Sequence, residues 1–460
     1  MKLLRPETAA LARQFEMCCT AACQSSSPIQ PSSLIDVPRP QHIGKMIWMG
    51  MRKHLAESQQ TGSYEMAMPV VQLKPGREKP VQNRHPWVFS GAIADVRGAP
   101  QPGNTVDIHS HQGEYLARGY YNPRSQIVVR ILSWEEEEID AAFWRQRLTR
   151  AIARRESLSQ DEATTAYRLV YAESDGLPGL IVDRYGDWLI LQSLTLGIEK
   201  WKSTLATLLG ELLEPRGILE RSDVEVRAHE GLPPTSGTLE GESPGEEMLI
   251  LENGLRFQVD LREGQKTGFY LDQRENRKKV AAYCSGRQVL DVFSYTGAFG
   301  VYALARGAKQ VTYVETSAEA LRLAQKNHAL NQVGEEQEFL EGDAFHVLRQ
   351  FRDTGRQFDL IILDPPKFAV SRGHVPAATR GYKDLNLLGM KLLRPAGILC
   401  TFSCSGLVSE DLFQKVLFGA SVDAEREVRI IERLGQGSDH PTLLTFPEST
   451  YLKGFVCRVE

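Results

Sequence analysis

The 460-residue sequence contains nothing near the roughly 18 uninterrupted apolar residues that a membrane span requires, and its start lacks a compact apolar run followed by a small-residue cleavage site. These absences exclude a recognisable membrane helix or export signal and make the cytoplasm the expected location, with no membrane partner. Charge of one sign is also missing: 54 Lys and Arg face 58 Asp and Glu, a net of −4, so the chain as a whole carries no positive field of the kind that announces nucleic-acid binding. Cysteine is sparse and unpaired in spacing. The seven are Cys18, Cys19, Cys23, Cys284, Cys400, Cys404 and Cys457, without a C-x-x-C pair, which argues against a disulfide framework and predicts reduced thiols. The close group Cys18, Cys19 and Cys23 has no fourth ligand or His at zinc-finger spacing, so no metal is expected. What remains is 42% hydrophobic and 24% charged, the composition of an ordinary globular chain long enough for two or three domains.

Residues 1–66 carry Ser/Pro-rich text at 24–33 and no sustained periodicity beyond a helix expected over 6–17, which predicts a poorly ordered extension. Met66 and Met68 stand immediately before the first patterned strand, an alternative place for the native start. Short apolar strands at 70–73, 87–89, 105–108, 115–117 and 127–132, punctuated by turns, predict a small β-barrel. Its eight basic residues (Lys74, Arg77, Lys79, Arg84, Arg97, Arg118, Arg124, Arg130) outnumber four acidic ones (Glu78, Asp95, Asp107, Glu114). With His85, Trp87, Tyr120 and Tyr121 they form either a phosphate-tracking surface with stacking groups or an ordinary solvated face, and the residues alone leave both open. Residues 143–158 predict a helix leading into strands at 168–172, 180–183 and 188–193 and an amphipathic helix at 196–213. The Gly, Pro, Ser and Glu text at 231–245 predicts a loop and an internal boundary, and Asn253-Gly254 predicts the turn of a hairpin over 248–260.

Beyond Gly286 the grammar changes to strands at 289–292, 310–315, 338–341, 358–363 and 397–403 separated by helical segments, which predicts a mostly parallel sheet with ligands at the C-terminal strand ends. The first strand runs through Asp291 into Phe293-Ser294-Tyr295-Thr296-Gly297 and then a helix. Gly297 permits close backbone approach, and Asp291 can accept hydrogen bonds from a ligand amine. Glu315, 24 residues on, ends the next strand where a ribose offers two hydroxyls. The loop has no G-x-G-x-x-G for a pyrophosphate, which disfavours a dinucleotide and hydride chemistry. Asp343 ends the third strand as an acceptor for an adenine amino group, with Phe345 near the ring. Each acid alone reads better as a helix N-cap or a surface charge, whereas three in order on successive strands reverse that and favour a nucleoside cofactor. The fourth strand ends in Leu363-Asp364-Pro365-Pro366-Lys367-Phe368, similar to the Asp-Pro-Pro motif of class I methyltransferases that act on planar nitrogens or nucleobases.

The stretch Gly264-Gln265-Lys266-Thr267-Gly268-Phe269-Tyr270-Leu271-Asp272-Gln273-Arg274-Glu275-Asn276-Arg277, with the Asp291-to-Gly297 loop and Phe402-Ser403-Cys404-Ser405-Gly406, resembles the ribosomal RNA large subunit methyltransferase I family over about residues 70–460. The resemblance implies a Rossmann-like class I methyltransferase domain at 261–460, preceded by a PUA-like RNA-binding β-barrel at 67–140 and a central β-rich α+β domain at 141–260. It implies S-adenosylmethionine as cofactor, held by Tyr270, Gln273, Asp291, Phe293, Ser294, Gly297, Glu315, Asp343 and Asp364. It implies large-subunit rRNA as partner, contacted by Lys74, Arg77, Arg84, Trp87 and Arg124, and 5-methylcytosine as product; a homodimer is left open.

Carbon 5 of cytosine is a poor nucleophile until a thiolate adds at carbon 6, so this product calls for a cysteine at the catalytic edge. Cys404 ends the fifth strand near Asp364 and is the expected nucleophile, with Asp364 stabilising charge on the ring. Other RNA 5-methylcytosine enzymes carry a second cysteine after the motif proline, where this chain has Lys367, so the base for the carbon-5 proton is unassigned. Cys400 reads as core, and Asp439-His440-Pro441 reads as either a pocket border or a turn. Two rival readings are amino-group methylation through Asp-Pro-Pro with Cys404 a bystander, and a non-catalytic rRNA-binding assembly factor.

Overall fold

Strand-length apolar runs set the architecture, and the computed structural model describes it for residues 68–460 except 246, 335 and 336. The extension and the helix expected before residue 67, with Cys18, Cys19 and Cys23, lie outside the described residues. The first sheet comprises β1 (Val70–Leu73), β2 (Trp87–Phe89), β3 (Ile93–Arg97), β4 (Thr105–His109), β5 (Tyr115–Tyr121) and β6 (Ile127–Ser133), in the order β2-β6-β5-β4-β1-β3. All neighbours are antiparallel except the parallel β1–β4 pair. Val71, Leu73, Val88, Val106, Ile108, Ala117, Val129 and Ile131 fill its core. Sequence patterning misses β3, an edge strand with no fully buried residue. The reading of this module as eight basic residues on a surface needs correction. Arg118 is buried against Asp107 at 2.6 Å, and Arg130 is buried between Glu173 and Glu230 at 3.0 Å each. Both guanidiniums are internal ties, because a buried charge persists only when paired.

The second sheet uses β7 (Ala166–Tyr171), β8 (Leu180–Tyr185), β9 (Trp188–Ser193), β10 (Gly217–Ser222) and β11 (Thr235–Gly241), ordered β11-β10-β9-β8-β7. Helix α1 (Ala141–Ala153) precedes it, and α2 (Leu196–Leu213) is the crossover between the parallel pair β9 and β10. Two expectations are modified here. The helix predicted over 143–158 is interrupted after Ala153 and resumes as a short helical turn at Glu156–Ser159; at the break Arg155 turns into the core and donates to Asp175 at 2.7 Å and to the carbonyls of Arg168 and Asp439. The loop predicted over 231–245 contains β11, which pairs antiparallel along β10. Its side chains are largely exposed, so no apolar alternation betrays it. The hairpin β12 (Met248–Glu252) and β13 (Leu255–Val259) turns through Asn253 and Gly254 at φ 49° and 83°, the left-handed pair that an Asn-Gly turn supplies.

The seven-stranded sheet and its helices run through α3 (Arg274–Ala281), β14 (Gln288–Val292), α4 (Ala298–Ala305), β15 (Gln310–Glu315), α5 (Ala318–Asn331), β16 (Glu338–Glu341), α6 (Ala344–Asp353), β17 (Phe358–Leu363), α7 (Val375–Leu392), β18 (Leu393–Ser403), α8 (Glu410–Ala424), β19 (Val428–Gly435) and β20 (Lys453–Val459). Its order is β16-β15-β14-β17-β18-β20-β19. The first five strands are parallel, and β20 inserts antiparallel between β18 and β19. Near-continuous apolar text such as Leu360–Leu363 and Ile398–Leu399 is what burial under helices on both faces demands. Strand order reverses at β14 and β17, so a crevice opens beyond their C-terminal ends. The ladder places Val292 opposite both Val314 and Leu363, which sets Asp291, Glu315 and Asp364 along one edge.

Candidate active site

The turn after β14 is held in a conformation that few residues adopt. Phe293, Tyr295 and Gly297 have φ of 62°, 47° and 76°, and left-handed non-glycine residues store strain that surrounding contacts must maintain. Here the contacts are made by backbone amides: Phe293 N donates to the Val314 carbonyl at 2.9 Å, and Tyr295 N donates to the Glu315 carboxylate Oε2 at 2.9 Å. Gly297 is obligatory for space as well as for φ, since a Cβ there would stand 2.8 Å from Ala324 Cβ. Asp291 is 1% exposed and accepts from Gly300 N at 3.1 Å. Burial, aided by the negative charges of Asp364 and Glu315, pushes its carboxyl up to about 8. Asp343 is exposed and caps α6, accepting from His346 N at 2.9 Å; its N-cap role is therefore real, with the second carboxylate oxygen free of bonds to described residues.

Across the switch point stand Gln273, Asp364 and Cys404. Gln273 Nε2 donates to Asp364 Oδ2 at 2.9 Å. Desolvation and the neighbouring Asp272 charge push Asp364 up to about 7. Cys404 Sγ lies 3.9 Å from the carbonyl oxygen of Pro365. It is partly exposed, whereas Cys284, Cys400 and Cys457 are buried. Desolvation and the Asp364 charge push the Cys404 thiol up to about 11, against the pull of Lys266. The flanking serines are pinned from α7: Tyr382 Oη bridges Ser403 Oγ at 3.0 Å and Ser405 Oγ at 3.1 Å, and Ser405 Oγ accepts from Ala369 N at 3.2 Å. One network thus ties the loop that follows Asp364 to the strand end that carries Cys404.

Of the sequence-predicted residues, Tyr270, Gln273, Asp364 and Cys404 form this half, and Asp291, Phe293, Ser294, Gly297 and Glu315 form the other. Lys367 is exposed and Cys400 lies in the core. Asp439 is buried in an ion pair with Arg274 at 3.0 Å and accepts from Arg168 N at 2.8 Å, a strut between the five-stranded sheet and α3 beside the seven-stranded one. Lys74, Arg77, Arg84 and Arg124 are exposed on the first module. Trp87 is fastened down, donating to Glu173 at 2.8 Å with its ring edge-on to Phe446 at 4.6 Å.

Sequence reasoning assigned no role to Lys266, Asp272, Tyr451 or Lys453. Lys266 Nζ lies 2.6 Å from Asp272 Oδ2 and 4.4 Å from the Tyr270 ring centre, and Tyr451 Oη donates to the same carboxylate. Despite its burial, Asp272 is held well below the usual carboxylate range by Lys266 and His440. The signal for Lys266 and Asp272 was their place beside Tyr270 and Gln273 in the 264–277 stretch; none marked Tyr451 or Lys453.

The groups present suit a nucleoside with a cationic amino-acid tail. Among the described residues, Ser294 Oγ, Thr296 Oγ1 and Asp272 Oδ1 are buried without a hydrogen-bond partner, a state that a polar ligand would relieve. Ribosomal RNA large subunit methyltransferase I of Shewanella denitrificans is 51% identical over 392 residues, covering 85% of this chain and 99% of that protein. The chain belongs to the ribosomal RNA large subunit methyltransferase I family. The Vibrio parahaemolyticus member is 47% identical over the same share of each chain. Family models for a PUA-like domain and for an S-adenosylmethionine-dependent methyltransferase match residues 71–134 and 225–446. A candidate S-adenosylmethionine-dependent methyltransferase from Streptococcus mutans superposes with a TM-score of 0.75 at 22% identity, over 85% of this chain and all of that one. A candidate methyltransferase solved with S-adenosylhomocysteine gives 0.76 at 23%, with the same coverage. Like the rest of its family, the chain is thus an S-adenosylmethionine-dependent methyltransferase with a PUA-like module.

Proposed function

We propose that the protein forms 5-methylcytosine in large-subunit ribosomal RNA, with Cys404 as covalent nucleophile. The observation that carries the reading is Cys404 itself: among the described cysteines it alone is not buried, and it sits at a strand end beside the Asp364-Pro365 loop. S-adenosylmethionine supplies an electrophilic methyl on its sulfonium, and Asp291, Ser294, Gly297 and Glu315 would hold it. The Cys404 thiolate adds to carbon 6 of the target cytosine, and the electron pair of the 5,6 double bond moves into the ring. An Asp364 carboxyl raised toward neutrality can carry the proton that the ring nitrogen takes up. Carbon 5, made nucleophilic by that addition, would take the methyl group that the sulfonium would give up. Loss of the carbon-5 proton to a base or water expels the thiolate and restores the double bond. The cytosine must be unpaired or flipped out for sulfur to reach its face. Exposed Lys74, Arg77, Arg84 and Arg124 would track the phosphates, and an rRNA substrate places the work in the cytoplasm.

Nucleoside mass spectrometry of large-subunit rRNA incubated with purified enzyme and cofactor tests this directly. One 5-methylcytosine per RNA is expected. A methylated amino group on cytosine or guanine would move the assignment to Asp364-Pro365-Pro366 acting without the cysteine, and no methylation at all would leave an rRNA-binding factor.

A further inference from the structure

From Pro365 to Lys383 the chain carries four Lys and Arg and no Asp or Glu, in a molecule whose charges otherwise mix and sum to −4. The stretch is the loop after β17 and the first half of α7, and contacts fasten it beside Cys404. Ala369 N donates to Ser405 Oγ at 3.2 Å, and the Phe368 ring lies 4.7 Å from that of Tyr382, whose hydroxyl bridges Ser403 and Ser405. Lys367 directly precedes Phe368, and Arg380 stands two residues before Tyr382 on α7. Lys367, Arg372 and Arg380 are exposed, and none forms an ion pair among the described residues. The carboxylates of α7 and α8 are engaged by other cations: Asp384 by Arg349, Glu410 by Arg433, Asp411 by Lys415 at 2.7 Å and Asp423 by Lys383 at 2.8 Å.

Unpaired like charges held close together repel one another, and a solvated face of mixed sign is as soluble without that cost. A polyanion relieves it. Resting on RNA as the substrate brought to Cys404, we propose that Lys367, Arg372 and Arg380 hold the phosphates that flank the target nucleotide. The base turns inward beside Asp364 while its phosphates stay outside, where two guanidiniums and an ammonium replace condensed counterions. Phosphate contacts of this kind carry no sequence information but fix register and orientation. The exposed barrel residues Lys74, Arg77, Arg84 and Arg124 then serve a different stretch of the same RNA.

The test uses the full chain and protein-free large-subunit rRNA, with binding measured across a salt series. Three proteins are compared: wild type, the triple variant Lys367→Gln, Arg372→Gln, Arg380→Gln, and a charge-keeping triple, Lys367→Arg, Arg372→Lys, Arg380→Lys. Losing three phosphate contacts should flatten the fall of log affinity with log salt by about 2 and weaken binding roughly tenfold at low salt. The charge-keeping triple should stay near wild type. Hydroxyl-radical footprinting locates the contacts: protection beside the methylated nucleotide should vanish in the Gln triple and persist when Lys74, Arg77, Arg84 and Arg124 are changed to Gln instead. Mass spectrometry finds that nucleotide whichever atom carries the methyl, and the salt slope needs no methylation, so failure of the cytosine-5 reading and failure of this proposal are told apart. An unchanged salt slope in the Gln triple overturns the proposal and leaves the cations to an acidic protein partner. Protection that persists beside the methylated nucleotide in that variant overturns it as well, as does equal weakening in both triples, since charge would then not be the cause.

Discussion

Around β14 and β15 the chain fixes the groups proposed to hold the cofactor through backbone: three positive-φ residues from Phe293 to Gly297, main-chain bonds to Val314, and Glu315 accepting from the Tyr295 amide. Around β17, β18 and β20 it fixes the groups proposed to react through side chains: Tyr382 across Ser403 and Ser405, Gln273 on Asp364, Lys453 on the turn after Cys404. The two halves should therefore fail differently. A backbone-built site is disturbed by volume and φ, with the fold suffering alongside the ligand. A side-chain-built site is disturbed by charge or a lost donor, with fold and cofactor affinity surviving.

The largest effect should come from Gly297→Ala. Its Cβ would meet Ala324 Cβ at 2.8 Å, at a φ of 76° that alanine resists, so stability should fall by about 2 kcal/mol or more, with cofactor affinity falling alongside. Denaturant titration and calorimetry with S-adenosylmethionine check both, and a wild-type midpoint would remove the contrast. A smaller effect is expected from protons. The unfolded chain gives up the Asp291 proton near 3.8, while burial holds it in the folded chain to about 8. This group's contribution to stability therefore declines as pH rises through that window. A bound ligand ammonium would favour the carboxylate, so cofactor binding should release a proton and tighten with pH up to about 8, by at most about tenfold per unit. Asp291→Asn should abolish that slope. Calorimetry in buffers of different ionisation enthalpy measures the released proton directly, and an equal slope in both proteins would place the amine elsewhere.

The central parallel strands were legible because strands buried on both faces must be apolar throughout, as Leu360–Leu363 is. Strand β11 was not, because an exposed edge of Thr, Ser, Gly and Glu carries a loop's composition and is made a strand only by pairing with β10. Cys404 and Asp364 were legible because each directly follows a parallel strand. Lys453 and Tyr451 were not, since their closeness to Cys404 and Asp272 depends on β20 returning antiparallel beside β18, which no local pattern announces. Counting charges likewise failed for Arg118 and Arg130, whose acidic partners Asp107, Glu173 and Glu230 lie 11, 43 and 100 residues away.

Whether Cys404 bonds to the target base is read by a covalent trap. Large-subunit rRNA containing 5-fluorocytidine replaces the carbon-5 proton with a fluorine that no base can remove, so the adduct cannot resolve. With S-adenosylmethionine present, wild-type enzyme should form a denaturation-resistant protein–RNA species whose cross-linked peptide contains Cys404. Cys404→Ala should form none while binding the cofactor with wild-type affinity. An adduct of equal yield in Cys404→Ala, or 5-methylcytosine formation by that variant at near-wild-type rate, would contradict the account.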